Sequence, residues 1–492
     1  MFLLKSHIFA AFLAFLVLWS NCPSFVNAQF PAPSQSTFLS IPITHTDYAT
    51  NSKPEVHGSI IQQQHANRGI RRLAMMTHQQ PPSQYDLLSS INKRILLLPS
   101  VHQRQYNVEE IAQALASYNH SGERSMASIS NGSISPLVYK TADNANATDF
   151  SWSKPFLHSL GLDIEGSNIG YIGTVKFGSP PRDFRLLIDS GSADLWVGAE
   201  GCRGNDGGGC GNHTLLGSRS SSTFNASKES WAVGYVSGSV SGYIVQDDVS
   251  IAGLRLKNHT FGVAQNESSD FTPDSVPFDG LLGLGKDTIS QQRVPTLLQS
   301  LYRAHLLPAP VASYKISRLA DGKNDGELTL GAMNPKHYDP KTLVKMKNVN
   351  KFGYWGVAVG AVKIGEKDLK WSNRTVLLDT GTTLIIAPQH DVDVIHNHIP
   401  GAQYDGSGWT VPCNMTTTLS LTIGDQPFSV DPRDIAFYPV EPGSRDCISG
   451  IAVGGVGPFY LNNEWLVGDV FLKNVYFSTD ENMDEICIAK QT

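Results

Sequence analysis

Hydrophobic positions are grouped differently along the chain. Behind Lys5, residues 8–19 form an apolar run too short to span a bilayer. Val26-Asn27-Ala28 then supplies the small residues of a signal-peptide cleavage site. This predicts a secretory signal over residues 1–28. From about residue 29 to 150 the chain is rich in Gln, Ser and His and has no strong period. The one element suggested there is a short helix over residues 108–118, and residues 117–148 have a linker-like composition. From Tyr171 onward the texture changes to short β-branched and aromatic runs between Gly-containing turns, as at residues 170–177, 326–331 and 467–478. That pattern predicts an all-β region. No later run is long enough for a membrane helix, and residues 485–492 lack a hydrophobic anchor signal, so no membrane anchor is expected.

Composition sharpens this division. The 492 residues carry 38 Lys+Arg against 44 Asp+Glu, a net charge of −6, which is the wrong sign for a nucleic-acid binder. The charge is uneven. Residues 29–149 hold 9 Lys+Arg, 8 Asp+Glu and 6 His, whereas residues 150–492 hold 28 Lys+Arg, 36 Asp+Glu and 8 His. The first segment therefore becomes cationic as its His protonate, while the second is acidic. Nine Asn-x-Ser/Thr sequons agree with a secretory route: Asn119, Asn131, Asn146, Asn212, Asn225, Asn258, Asn266, Asn373 and Asn414. Cys202 and Cys210 bracket a Gly-rich loop, and Cys413 and Cys447 flank a strand-rich stretch, which predicts two local disulfides. Cys22 leaves with the signal, and Cys487, in an apolar terminal strand, is expected to be a buried free thiol. No metal-ligand spacing occurs, so neither a metal nor a cofactor is expected.

One feature of the β region occurs twice. The run Leu186-Leu187-Ile188-Asp189-Ser190-Gly191-Ser192 returns as Val376-Leu377-Leu378-Asp379-Thr380-Gly381-Thr382. Each copy is an apolar strand ending in Asp, hydroxyl, Gly, hydroxyl. Each is followed by a second apolar run ending in Gly, at Gly283 and at Gly468. A single Asp-Ser/Thr-Gly is an ordinary turn. From average residue usage, however, a four-residue match of this kind should occur roughly 0.03 times in such a chain. Two matches with matching partners read as an internal duplication.

These motifs resemble those of the pepsin family of bilobed aspartic endopeptidases, from about Gly170 to the C-terminus. The resemblance extends to Leu195-Trp196 after the first Asp, to residues 221–224 and 278–285, and to Gly468-Asp469. It also includes the hairpin of residues 235–242, which makes Tyr235 the flap tyrosine. It implies an all-β fold of two duplicated lobes with a cleft between them: an N-terminal lobe over residues 153–335 and a C-terminal lobe over residues 336–492. By the same resemblance Asp189 and Asp379 are the catalytic pair. Ser190, Gly191, Ser192, Thr380, Gly381 and Thr382 shape their loops, and Tyr235 closes over the substrate with its hydroxyl near Trp196. Leu187, Tyr235, Phe278 and Leu281 then wall the pocket just before the scissile bond, which implies cleavage beside large hydrophobic residues. Val236 and Ser237 stand at flap positions where other residues are usual, and Ser237 argues against a preference for Lys. Other carboxylates, Asp194, Asp247, Asp248, Asp279 and Asp469, read as structural.

The resemblance also implies a removable leader over residues 29–152, ending between about residues 144 and 160, that covers the cleft as an inhibitory propeptide in cis. Residues 39–44 resemble the first strand of such prosegments. A Lys between the two carboxylates is usual, with Lys53, Lys93, Lys140 and Lys154 as candidates. The leader is more than twice the usual length. The expected product is a secreted monomeric acid endopeptidase that acts on proteins or peptides and is blocked by pepstatin-type inhibitors. A vacuolar address, or a silent binding protein on the same fold, are the alternatives. Retention of Asp189, Gly191, Asp379 and Gly381 speaks against silence.

Overall fold

Both apolar runs ahead of the repeated turns are buried strands in the computed structural model, Arg182–Asp189 and Arg374–Leu378. The residues described are 39–43, 57–103, 106, 112, 115 and 170–492, apart from 206, 236–237, 269, 275, 322–324 and 455–462. The signal segment, Lys53, Lys140, Lys154, Val236, Ser237, Asn119, Asn131, Asn146 and the expected maturation window lie outside them. Of the helix expected over residues 108–118, only Ala112 and Leu115 are described, and both are helical.

The duplication is written in the strand pairing. Arg182–Asp189 runs parallel to Gly280–Gly283, with Asp189 opposite Gly283. Arg374–Leu378 runs parallel to Glu464–Val467, with Leu378 opposite Val467. In each half the returning strand, Leu195–Gly204 or Ile385–Ala387, pairs antiparallel to that partner. Strands packed on both faces read as unbroken apolar runs, and Leu186, Ile188, Val376 and Leu377 are accordingly almost fully buried. The first half forms a seven-stranded sheet and the second an eight-stranded one. A six-stranded sheet combines Val311–Lys315 and Gly326–Leu330 with the C-terminal hairpin Val475–Asp480 and Glu485–Lys490. The fold is all-β and bilobed over this part of the chain.

Among the described residues, the segment ahead of residue 170 contributes a strand and three helices, the third the short Ser100–Gln103, to the same compact unit. Leu39–Ile43 pairs antiparallel with Gly326–Leu330 at the edge of the six-stranded sheet. Helix α1 spans Gly58–Met76 and α2 spans Gln84–Leu97. Neither is expected from periodicity, and α1 shows why. Fifteen of its 19 residues are buried, among them Gln62, Gln63, His65, Asn67 and Arg72. Ile70, Leu73 and Met76 join the main core, whereas Ile60 packs with Leu88, Ile95, Leu98 and Tyr106 in a second small core under α2. The remaining faces are satisfied by hydrogen bonds: Gln62 Nε2 donates to Ser449 O at 3.0 Å, and Asn67 Nδ2 donates to Leu87 O at 3.0 Å. A helix buried all round through polar groups has no apolar stripe to detect. Gly69 lies against Ile386, where a methyl would collide. Helix α2 begins with a capping box between Ser83 and Asp86.

Cys202–Cys210 and Cys413–Cys447 form disulfides, and Cys487 is a free thiol that is partly exposed, not buried as expected. The six described sequon asparagines, Asn212, Asn225, Asn258, Asn266, Asn373 and Asn414, are all exposed. No helix among the described residues is long and apolar enough to cross a membrane.

Candidate active site

Asp189 ends its strand and Asp379 immediately follows its own, so the parallel pairing delivers the two carboxylates to matching places in the two halves. Both are 0% exposed. The loops that follow are locked together across the lobe boundary. Ser190 N donates to Thr380 Oγ1 at 2.9 Å, and Thr380 N donates to Ser190 Oγ at 3.0 Å. Each hydroxyl also donates back to the opposite strand, Ser190 Oγ to Leu378 O and Thr380 Oγ1 to Ile188 O. Every polar atom of this crossing is paired, which is what makes its burial affordable.

Within each loop the carboxylate is held twice. Gly191 N donates to Asp189 Oδ1 at 2.9 Å and Ser192 Oγ to Asp189 Oδ2 at 2.6 Å. Gly381 N donates to Asp379 Oδ1 at 2.9 Å and Thr382 Oγ1 to Asp379 Oδ2 at 2.5 Å. The two glycines are required by proximity. A Cβ on Gly191 would strike Asp379, and a Cβ on Gly381 would strike Asp189.

A cation sits between them, and it is not a lysine. Arg72 of α1 donates from Nη2 to Asp189 Oδ1, while its Nε lies 2.5 Å from Asp379 Oδ2 as an ion contact without hydrogen-bond alignment. Among the candidate lysines, Lys93 is exposed on α2 and takes no part. The expectation of a Lys is therefore corrected to Arg72. Its signal was present as the basic pair Arg71-Arg72, but only the path of α1 says which basic residue reaches the dyad. Burial disfavours the guanidinium charge, and Asp189 and Asp379 outweigh it. The carboxylates respond unequally. Burial pushes Asp379 up, reinforced by Asp189 and opposed by Arg72. Asp189 is equally buried, but the charge and hydrogen bond of Arg72, with Ser192 and Gly191, hold it below its ordinary value.

Beside Asp189, Trp196 Nε1 donates to Tyr235 Oη at 2.8 Å. Leu187, Tyr235, Phe278 and Leu281 are all buried, and Leu187 lies opposite Leu281 in the parallel strand pair. Phe271, not singled out by motif, joins them, with its ring 5.7 Å from Trp196, 6.0 Å from Tyr235 and 6.1 Å from Phe278. The other acids are mostly built into turns and strand ends. Asp194 accepts from Ser290 Oγ and Gln292 N, Asp247 from Ser221 Oγ, and Asp279 from Arg185 N. Asp469 differs. Both of its oxygens are buried without a hydrogen-bond partner among the described residues, so burial raises its pKa well above the carboxylate range. One group of possible metal ligands lies together among the described residues, Cys202, Cys210 and Glu267, and its sulfurs are spent in a disulfide.

Residues 170–491 match the family model for eukaryotic aspartyl proteases. A probable aspartic-type endopeptidase CTSD of Arthroderma benhamiae is 34% identical over 335 residues, covering 68% of this chain and 63% of that protein. The aspartic-type endopeptidase ctsD of Aspergillus fumigatus is 32% identical over 337 residues, 68% of each chain. Rhizopuspepsin-1 of Rhizopus niveus is 32% identical over 356 residues, 71% of this chain and 85% of its own. With two Asp-hydroxyl-Gly-hydroxyl loops on duplicated sheets, and a family match over most of the chain, the protein belongs to the eukaryotic aspartyl protease family.

Proposed function

We propose that this chain is the precursor of a secreted aspartic endopeptidase, held inactive by its own leader until acid releases it. The observation that carries this is the single guanidinium of Arg72 bridging Asp189 and Asp379, the position a substrate peptide bond and its attacking water would otherwise occupy.

Once Arg72 leaves, two facing carboxylates share one proton, because both cannot ionise comfortably at that distance. The ionised member takes a proton from a water between them, and the water oxygen attacks the scissile carbonyl carbon. The protonated member donates a hydrogen bond to the carbonyl oxygen and stabilises the tetrahedral gem-diol. Collapse breaks the C–N bond as the leaving nitrogen takes up a proton. Gly191 N, Ser192 Oγ, Gly381 N and Thr382 Oγ1 hold the carboxylates in place throughout, so little reorganisation is needed. The apolar and aromatic character of Leu187, Tyr235, Phe278 and Leu281 supports cleavage beside large hydrophobic residues.

Release follows from charge. Asp189, held below its ordinary value by Arg72, gives the docked state stability that is lost as pH falls through that lowered value, so acid weakens the hold on Arg72. The test is direct. At about pH 3.5, where one carboxyl of a dyad is ionised, the purified full chain should shorten and then cleave haemoglobin, and pepstatin should block both. Asp379→Ala should stay full length and inactive. Wild-type protein without pepstatin-sensitive cleavage, or an Asp379→Ala variant that still processes itself, refutes the reading.

A further inference from the structure

Arg94 is 2% exposed although it lies on the outer helix α2. Its Nη1 lies 2.9 Å from Asp405 Oδ2, its Nη2 donates to Gln62 Oε1 at 2.5 Å, and its Nε donates to Gln63 Oε1 at 3.3 Å. The receiving surface is a short hairpin of Gln403–Tyr404 and Trp409–Pro412. Its turn holds Asp405 without help from the leader. Oδ1 accepts from Ser407 N and Gly408 N, both at 2.8 Å, and Asp405 N donates to Gly408 O at 3.1 Å. Oδ2 is thereby left for the guanidinium. Gly408 makes the space, since a Cβ there would collide with Arg94 Nη2. Behind the turn, Trp409 stacks on buried His396, and its strand pairs with Asp446–Ser449, whose Cys447 is bonded to Cys413. This is a surface socket for a planar cation, its carboxylate 42% exposed, built from the part of the chain that would remain after removal of the leader.

We propose that Asp405 and Gly408 form a remote substrate subsite that selects an arginine of the polypeptide being cut; this rests on the protease reading above. Gln62 and Gln63 depart with Arg94, but the turn that aims Asp405 does not. In the released enzyme the carboxylate has lost its partner, and a planar, multiply donating guanidinium suits it better than a lysine ammonium. The leader also sets the reach. Gln62 and Gln63 lie nine to ten residues before Arg72 on α1, which is about 14 Å along a helix. An extended substrate rising ~3.3 Å per residue covers that distance in about four residues.

The test uses the shortened enzyme obtained by acid activation of the full chain, assayed at about pH 5, where most carboxylates are ionised. Peptides of one sequence carry Arg, Lys or Gln four or five residues from the scissile bond, on either side. At one of these positions Arg should lower KM by about three- to fivefold relative to Gln, with kcat unchanged, as a partly exposed ion pair would. In Asp405→Asn, which keeps the acceptor that the turn needs, the Arg-to-Gln ratio should fall to about one. Gly408→Ala should reduce it as well, by filling the socket while leaving the carboxylate. Equal KM for Arg and Gln at every position overturns the subsite, as does an Arg advantage that survives in both variants. Either result leaves the protease reading intact. If the activated protein cuts no peptide of the series, both fall.

Discussion

Two buried contacts meet at the dyad and are built from different chemistry. The lobes are joined by Ser190 and Thr380, whose hydroxyls and amides exchange neutral hydrogen bonds. The leader is joined to the lobes by ion pairs, Arg72 on Asp189 and Asp379 and Arg94 on Asp405. At the dyad both contacts are buried, whereas the Asp405 side chain is 42% exposed. In the proposed mechanism what differs is the response to protons, which makes one contact permanent and the other conditional. The apolar part of the leader contact, Ile70, Leu73 and Met76 at about 2 kcal/mol each, does not change with pH and favours the closed form throughout.

The largest way to break this contrast is Arg72→Leu. It leaves two buried carboxylates facing each other without a cation, and loss of one partner of a buried ion pair costs about 3–5 kcal/mol. The pH midpoint for leader release, followed by gel shift, should rise by about one to two units; an unchanged midpoint would show that Arg72 does not hold the leader. Ser190→Ala acts on the other contact. It strands Thr380 N in the interior at about 1–3 kcal/mol, which should lower the melting temperature by several degrees without moving the release midpoint. Ser190→Thr should preserve both. If the release midpoint shifts with Ser190→Ala, the two contacts are not separable.

The smallest effect concerns His57. Its Nδ1 accepts from Ser59 N and from Ser59 Oγ at the start of α1, so this cap requires the neutral ring. Around it lie His102, Glu441, Arg94 and Asp405, with Tyr106 Oη accepting from its backbone N–H. Burial lowers its pKa in the docked state, helped by His102. His65, buried against Phe437, is lowered well below its ordinary value by burial and by Arg68. A group depressed in the docked state stabilises that state above its ordinary value of about 6.5, and the contribution is lost as pH falls toward the docked value. Both histidines therefore drive release in the same direction as the dyad. His57→Asn keeps a cap acceptor that does not titrate, and the release midpoint should fall by roughly half a pH unit. A midpoint that rises instead would contradict a role for the neutral cap.

Legibility followed the same division. The lobes were readable because a strand buried on both faces must be apolar along its length, and because the chain repeats that strand with its Asp turn. The leader was not. Its helix α1 carries Gln62, Gln63, His65 and Asn67 inward, where each is met by polar groups or an aromatic ring from elsewhere. No local period survives that arrangement. Even so, the Ser83-to-Asp86 capping box of α2 was a local signal that composition obscured.

By itself, the sequence determined the all-β duplication, the two Asp-hydroxyl-Gly-hydroxyl loops, and the contrast between a His-rich leader and an acidic body. These depend on neighbours in the chain, so local pattern carries them. Only the tertiary structure decided that Arg72 and not a lysine meets the dyad, that Phe271 joins Trp196, Tyr235 and Phe278, and that Arg94 seats on Asp405. Each of these joins residues far apart in sequence, and which of several equivalent side chains arrives is set by how the whole chain packs.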